Sequence, residues 1–200
     1  MNRVITIGRE FGSGGRTIAG MVGKELGIPV YDHELLVRIA QESGFAKEYV
    51  EEKGESASLN SLIARSLSGM GGYSPMTAED YLWQMQRKVI LELAQKENCV
   101  IVGRCADYIL RERADCLRAF IYADREKRAR RIVAVYGEAG AEMPEKRLLD
   151  KDKRRSAFYS AHTDMTWGDP HNYHICLDSG ALGLEQCAQI LCGIYRKMEE

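Results

Sequence analysis

The chain has 200 residues, 45% of them hydrophobic and 28% charged, with a net charge of -1. Such a length suits one domain with a sizeable core, and the near balance of charge argues against a nucleic-acid polymer or an anionic membrane as partner. No apolar run approaches the ~18 residues of a membrane span, and Arg3 and Arg9 interrupt the N-terminus as a signal sequence.

In chain order, Val4 to Ile7 is a short β-branched run and predicts the first strand. A glycine-rich segment, Gly8 to Thr17, follows, and Ile18 to Leu26 reads as a helix. Ile28 to Tyr31 is a second short strand with Asp32 at its carboxyl end, and His33 to Glu42 is helical. Gly44 to Tyr81 is rich in Ser, Gly and Glu and is expected as an insert of loop and short helices. Thr77, with Asp80 three residues on, predicts an N-cap for a helix to about Glu97, with Tyr81, Met85, Val89 and Leu93 along its buried face. Cys99 to Val102 is a buried strand closed by Gly103-Arg104, and Leu117 to Tyr122 is another. Asp124 to Tyr136 is a helix ended by the Gly137 to Gly140 segment, and Glu145 to Ala161 is a basic helix. Tyr173 to Leu177 is the last strand and Leu184 to Lys197 the last helix.

Strands spaced by helices imply an α/β fold, a parallel sheet with helices on both faces. Ligands of such sheets sit beyond the carboxyl ends of the strands, which brings Gly12, Asp32, Arg104 and the region after Ala123 to one edge. Strand, glycine-rich loop and helix together form a phosphate cradle: glycines let amide groups converge, and the helix N-terminus adds a positive dipole end. The loop is unorthodox. The last glycine of the usual phosphate loop precedes a lysine, and a glycine stands five residues before it. Here Gly15 is followed by Arg16, and Glu10 stands at the earlier position; with Gly12-Ser13-Gly14 set on the usual Gly-x-Gly instead, the lysine position holds Gly15 and the next holds Arg16, so either way no lysine is present. Arg16 or Arg9 would have to supply the missing lysine's charge. The six cysteines include no C-x-x-C pair, so free thiols in a reducing cytosol are expected and a zinc site is not.

The segments Val4 to Ala19, Tyr31-Asp32, Val100 to Asp107 and Glu126 to Arg131 resemble the cytidylate kinase-like family of P-loop nucleoside monophosphate kinases. The loop itself and Trp167-Gly168-Asp169-Pro170 look like its divergent branch. The resemblance implies one P-loop kinase-like domain over residues 1–200, with a five-stranded parallel sheet. It also implies a helical acceptor-binding insert at about 44–81 and a lid at about 137–160. The implied reaction is transfer of the ATP γ-phosphate to CMP or dCMP with magnesium, by a cytoplasmic enzyme of small-molecule substrates.

Residue by residue, the resemblance makes Gly12, Ser13, Gly14, Gly15, Arg16 and Thr17 the donor phosphate loop. It makes Asp32, Arg104, Asp107, Asp152 and Arg155 acceptor contacts, and Arg16, Arg128 and Arg131 the charges around the transferring group. Magnesium would arrive with ATP and sit near Thr17 or Asp32. The chain departs from the family pattern at His33-Glu34 after Asp32, at Cys105 after Arg104, and at Leu148-Leu149 before Asp152.

Plainer readings stand beside these. Asp32 could cap the helix at His33, and Arg104 could form a structural ion pair. The Arg125 to Arg131 run could be a solvated helix face. Asp152 and Arg155, at helical i, i+3 spacing, could be a surface pair. Two other functions stay open: a nucleotide-binding regulator or pseudokinase, and a kinase for another small acceptor.

Overall fold

The computed structural model describes residues 2–53, 77–137 and 144–198. Most of the expected insert and the start of the expected lid lie outside them.

Five strands form one all-parallel sheet: β1 (Val4–Arg9), β2 (Val30–Tyr31), β3 (Cys99–Val102), β4 (Cys116–Tyr122) and β5 (Ile175–Asp178), in the order β2-β3-β1-β4-β5. Every residue of β1 and β3 is buried, as befits strands covered on both faces. Side chains alternate between two cores. Val4, Cys99, Ile101 and Cys116 face α2 (His33–Ser43) and α4 (Ala78–Lys96). Ile5, Ile7, Val100, Val102, Leu117 and Ile121 face α1 (Gly15–Leu26) and α9 (Leu184–Lys197). A short α3 (Lys47–Lys53) precedes the undescribed residues 54–76.

The Thr77 cap forms as a full capping box: the Thr77 hydroxyl accepts the Asp80 amide, and the Asp80 carboxylate accepts the Thr77 amide. Such a cap contributes about 1 kcal/mol. The buried face of α4 is Leu82, Gln86, Val89, Ile90, Leu93 and Ala94, one position on from the expected Tyr81 and Met85. Those two are only half-buried, because α4 packs against α2 as well as the sheet.

Other boundaries shift for identifiable reasons. Helix α1 begins at Gly15 rather than Ile18, since the glycine-rich loop itself supplies its first turn. Strand β5 begins at Ile175, because Tyr173 closes a short 3-10 turn over Pro170–Asn172. Three short elements go beyond the sequence reading: that turn, α5 (Ala106–Ile109) and α8 (Ser179–Leu182). Helices α6 (Arg125–Tyr136) and α7 (Pro144–His162) pack on each other beyond the carboxyl edge of the sheet. All six cysteines are free. Among the described residues no helix is long and apolar enough to cross a membrane.

Candidate functional site

The loop from Glu10 to Gly14 leaves the end of β1, the central strand, and turns directly into α1. Two of its glycines have left-handed backbone, Gly12 at φ +80° and Gly14 at φ +82°. A Cβ on Gly12 would lie 2.9 Å from the Arg128 carbonyl oxygen, and one on Gly14 would lie 2.5 Å from Leu184 Cδ2. Neither position admits a side chain without rearrangement. The Ser13 hydroxyl turns back to the Glu10 carbonyl at 2.9 Å. Gly14 caps α1 with no side chain, so side-chain oxygens leave the first-turn amides of the helix to other partners. The Ser179 hydroxyl donates to the Ser13 carbonyl at 2.6 Å and pins the loop from the C-terminal side.

Arg16, at the position of the usual lysine, is more than half exposed and pairs with the Asp32 carboxylate. Buried Arg9 approaches the same carboxylate at 3.9 Å. Asp32 makes no side-chain cap to α2, so the helix-capping reading fails. Arg131 reaches the loop as well, donating to Thr17 Oγ1 at 3.0 Å with its guanidinium beside Gly14.

Arg128 and Asp152 are placed differently from the expectation. Arg128 is 7% exposed and forms ion pairs with Asp152 at 2.6 Å and Glu10 at 3.3 Å. Asp152 accepts the Phe11 amide at 2.7 Å. Arg155 donates to the Arg9 carbonyl at 3.3 Å and lies 3.8 Å from Asp152. Thus Asp152 and Arg128 are neither a surface pair nor a solvated face; they belong to the loop. Burial raises the Glu10 carboxyl above the usual range, against the pull of the Ala123 amide and Arg128.

At the end of β3 three consecutive residues are left-handed: Gly103 at φ +71°, Arg104 at +59° and Cys105 at +53°. For the two bearing side chains this costs about 1–3 kcal/mol each. The turn is held by Gln86, a buried amide on α4 that donates to the Arg104 carbonyl at 3.0 Å. Arg104 itself is buried and lines a cavity of about 30 Å³ with Arg9 and Arg155. Gly8, Asp107, Phe158, Tyr159, Trp167 and Tyr173 complete much of the wall. Asp107 is buried and accepts the Tyr159 hydroxyl at 2.7 Å. Burial raises its carboxyl above the usual range, with the Tyr159 hydrogen bond opposing. Three arginines therefore line the cavity, while Asp107 in its wall is pushed towards the neutral form.

The structure brings Asp32, Arg104 and the glycine loop to one edge of the sheet, with Arg9 touching both the Asp32 carboxylate and the cavity. Sequence reasoning missed Gln86, Tyr159 and Tyr173. The signal for Gln86 was a polar residue on the apolar face of α4, in register with Leu82, Val89 and Leu93.

The chain matches known proteins along nearly its whole length. The cytidylate kinase-like family matches residues 4–181. An uncharacterised protein from Eubacterium ventriosum superposes with a TM-score of 0.68 at 25% identity, over 98% of this chain and 99% of that one. Shikimate kinase from Acinetobacter baumannii, solved with shikimate, gives 0.55 at 14% identity over 98% and 94%. A gluconokinase from Sinorhizobium meliloti gives 0.55 at 17% identity over 98% and 94%. The last two share the fold, that of P-loop kinases. No curated protein matches.

Proposed function

The chain belongs to the cytidylate kinase-like family, and from that premise we propose that it transfers the γ-phosphoryl group of ATP to a nucleoside monophosphate, CMP or dCMP foremost. The observation that carries this reading is the placing of a glycine cradle and an arginine-rimmed cavity side by side at one sheet edge. Three guanidinium groups around one cavity suit a dianionic phosphate better than a single carboxylate.

Phosphoryl transfer needs little covalent help; it needs two anions held in line and developing charge neutralised. Amides from Gly12 to Thr17 would hold the donor phosphates. Arg131, already at Thr17, and Arg16, released from Asp32, would neutralise the transferring group. Arg104 would fix the acceptor phosphate bidentately, with Arg155 beside it. Magnesium would supply positive charge at the donor phosphates, and the Thr17 hydroxyl and the Asp32 carboxylate are the groups that would hold it. Both of those face arginines in this structure, so the phosphates themselves would provide most of the metal's ligands.

One observation favours a second reading, a nucleotide-binding protein without turnover: Arg16 pairs with Asp32 instead of lying over the loop. The altered residues after Asp32 and Arg104 favour a third, a kinase for another small acceptor. A panel of nucleoside monophosphates, nucleosides and sugar acids, assayed with ATP and magnesium, separates the three. CMP or dCMP is expected to give the highest kcat/KM. Nucleotide binding without any product would select the second reading, and turnover of only non-phosphorylated acceptors the third.

A further inference from the structure

The loop lacks both residues that ordinarily shape a phosphate loop: Glu10 stands for the first glycine and Arg16 for the lysine. Something else must select one backbone conformation around two glycines that could adopt many. The contacts of Glu10 and Phe11 identify it. The Phe11 amide donates to Asp152 Oδ1 at 2.7 Å. The other oxygen of that carboxylate accepts Arg128 at 2.6 Å. The same Arg128 nitrogen donates to the Phe11 carbonyl at 3.2 Å. Both main-chain polar groups of Phe11 are thus taken up by one carboxylate–guanidinium pair from α7 and α6. The Phe11 ring lies between two further α7 guanidinium groups, Arg147 at 5.6 Å and Arg155 at 5.7 Å from its centroid. Glu10 completes the frame: it faces Arg128 and accepts the Ala123 amide at 3.1 Å, tying the loop to the end of β4.

We propose that Asp152, with Arg128 as its counter-charge, is a positioning residue of the donor phosphate loop and does not read the acceptor. The proposal rests on the donor role given to the loop above. Arg128 sits between two carboxylates, Asp152 and Glu10, so the group adds no free positive charge to the site; it acts through loop shape. In effect the carboxylate of α7 holds from outside a loop shape that the usual first glycine permits from within. Donor affinity then depends on the Asp152–Phe11 bond, and acceptor affinity does not.

The test is calorimetric titration of ATP and ADP into the full-length wild type, Asp152→Ala, Asp152→Asn and Arg128→Ala, with steady-state kinetics for the best acceptor. Asp152→Ala is expected to weaken ATP by about tenfold or more, the size of one ordinary coupling, while the acceptor KM stays within about twofold. Asp152→Asn keeps an oxygen for the Phe11 amide and loses the charge, so its loss is expected to be smaller. The Asp152→Ala/Arg128→Ala double variant should lose less than the two single losses combined. Unchanged ATP affinity with a raised acceptor KM would overturn the proposal and return Asp152 to the acceptor. Equal losses for both substrates in step with a lowered melting temperature would overturn it too, as a role in folding alone. A wild type that binds neither ATP nor ADP would remove the donor reading itself, a failure recognisable before any variant is measured.

Discussion

At the glycine loop the left-handed backbone falls on Gly12 and Gly14, whereas at the turn after β3 it runs on from Gly103 through Arg104 and Cys105. The first arrangement is free of strain, because glycine occupies that region at no steric cost. The second stores strain in two residues that carry side chains, and a buried glutamine from another helix holds it. The contrast teaches that one end is built from local sequence and the other from packing. A phosphate cradle needs only amides, so its residues can be glycines. An acceptor clamp, the role proposed for Arg104, needs a particular side chain at a particular place, and at that residue the backbone leaves its preferred range.

The sharpest way to break the comparison is at Gly14. Gly14→Asp places a side chain against Leu184 on a left-handed residue and brings negative charge into the cradle. ATP binding is expected to fall below detection by titration; retained affinity would separate the loop from the donor site. Next is Arg16→Ala, which removes the charge at the lysine position and is expected to cut kcat on the order of a hundredfold, measured under saturating ATP. Full activity in that variant, and in the matching Arg9→Ala variant, would show that neither arginine replaces the lysine.

Arg104 sharpens the acceptor half. Arg104→Met keeps the bulk and the left-handed strain but loses the guanidinium. It is expected to raise the acceptor KM about tenfold or more with the ATP KM little changed, since one charge-assisted contact is worth about that much. Arg104→Gly loses the same group but relieves the strain, so it should unfold at higher denaturant than Arg104→Met, by about 1 kcal/mol. Identical midpoints would mean the turn stores nothing.

The smallest expected effect is at Asp107. Its folded carboxyl holds a proton to higher pH than the unfolded chain does, so its contribution to stability is full at low pH and declines as pH rises above the ordinary aspartate range. Asp107→Asn keeps an acceptor for the Tyr159 hydroxyl without the buried charge. Its denaturation midpoint should gain on wild type as pH is raised from about 4 to about 7. A difference that does not change with pH would contradict the raised value.

How far the sequence was legible follows the same division. The strand–loop–helix and the capping box at Thr77 are local patterns, and both formed where they were read. The rule for parallel sheets placed Asp32 and Arg104 on one edge, because their strands and loops are sequential to short buried runs. The face of α4 formed as read at Val89 and Leu93 but lies one position on, at Leu82 and Gln86, in its first turns, since two partners, α2 and the sheet, divide it. Gln86 and Tyr159 were not read as site residues because each meets its partner far along the chain, 18 residues away at Arg104 and 52 at Asp107. The contact of Asp152 with the loop was not read for the same reason. Its visible neighbour was Arg155 on its own helix, while its amide partner, Phe11, is 141 residues distant.

The pairing of Asp32 with both Arg9 and Arg16 has a kinetic consequence. Two guanidinium groups meet at this carboxylate and a third, Arg131, lies beside Gly14, so positive side chains gather along the sheet edge and set its field. An anion approaching through solvent meets that field before it meets any contact. Its association rate is therefore expected to fall as salt shortens the screening length, from about 30 Å at 0.01 M to about 8 Å at 0.15 M, while its dissociation rate changes less. Stopped-flow mixing over that range of ionic strength would record the edge as an electrostatic funnel.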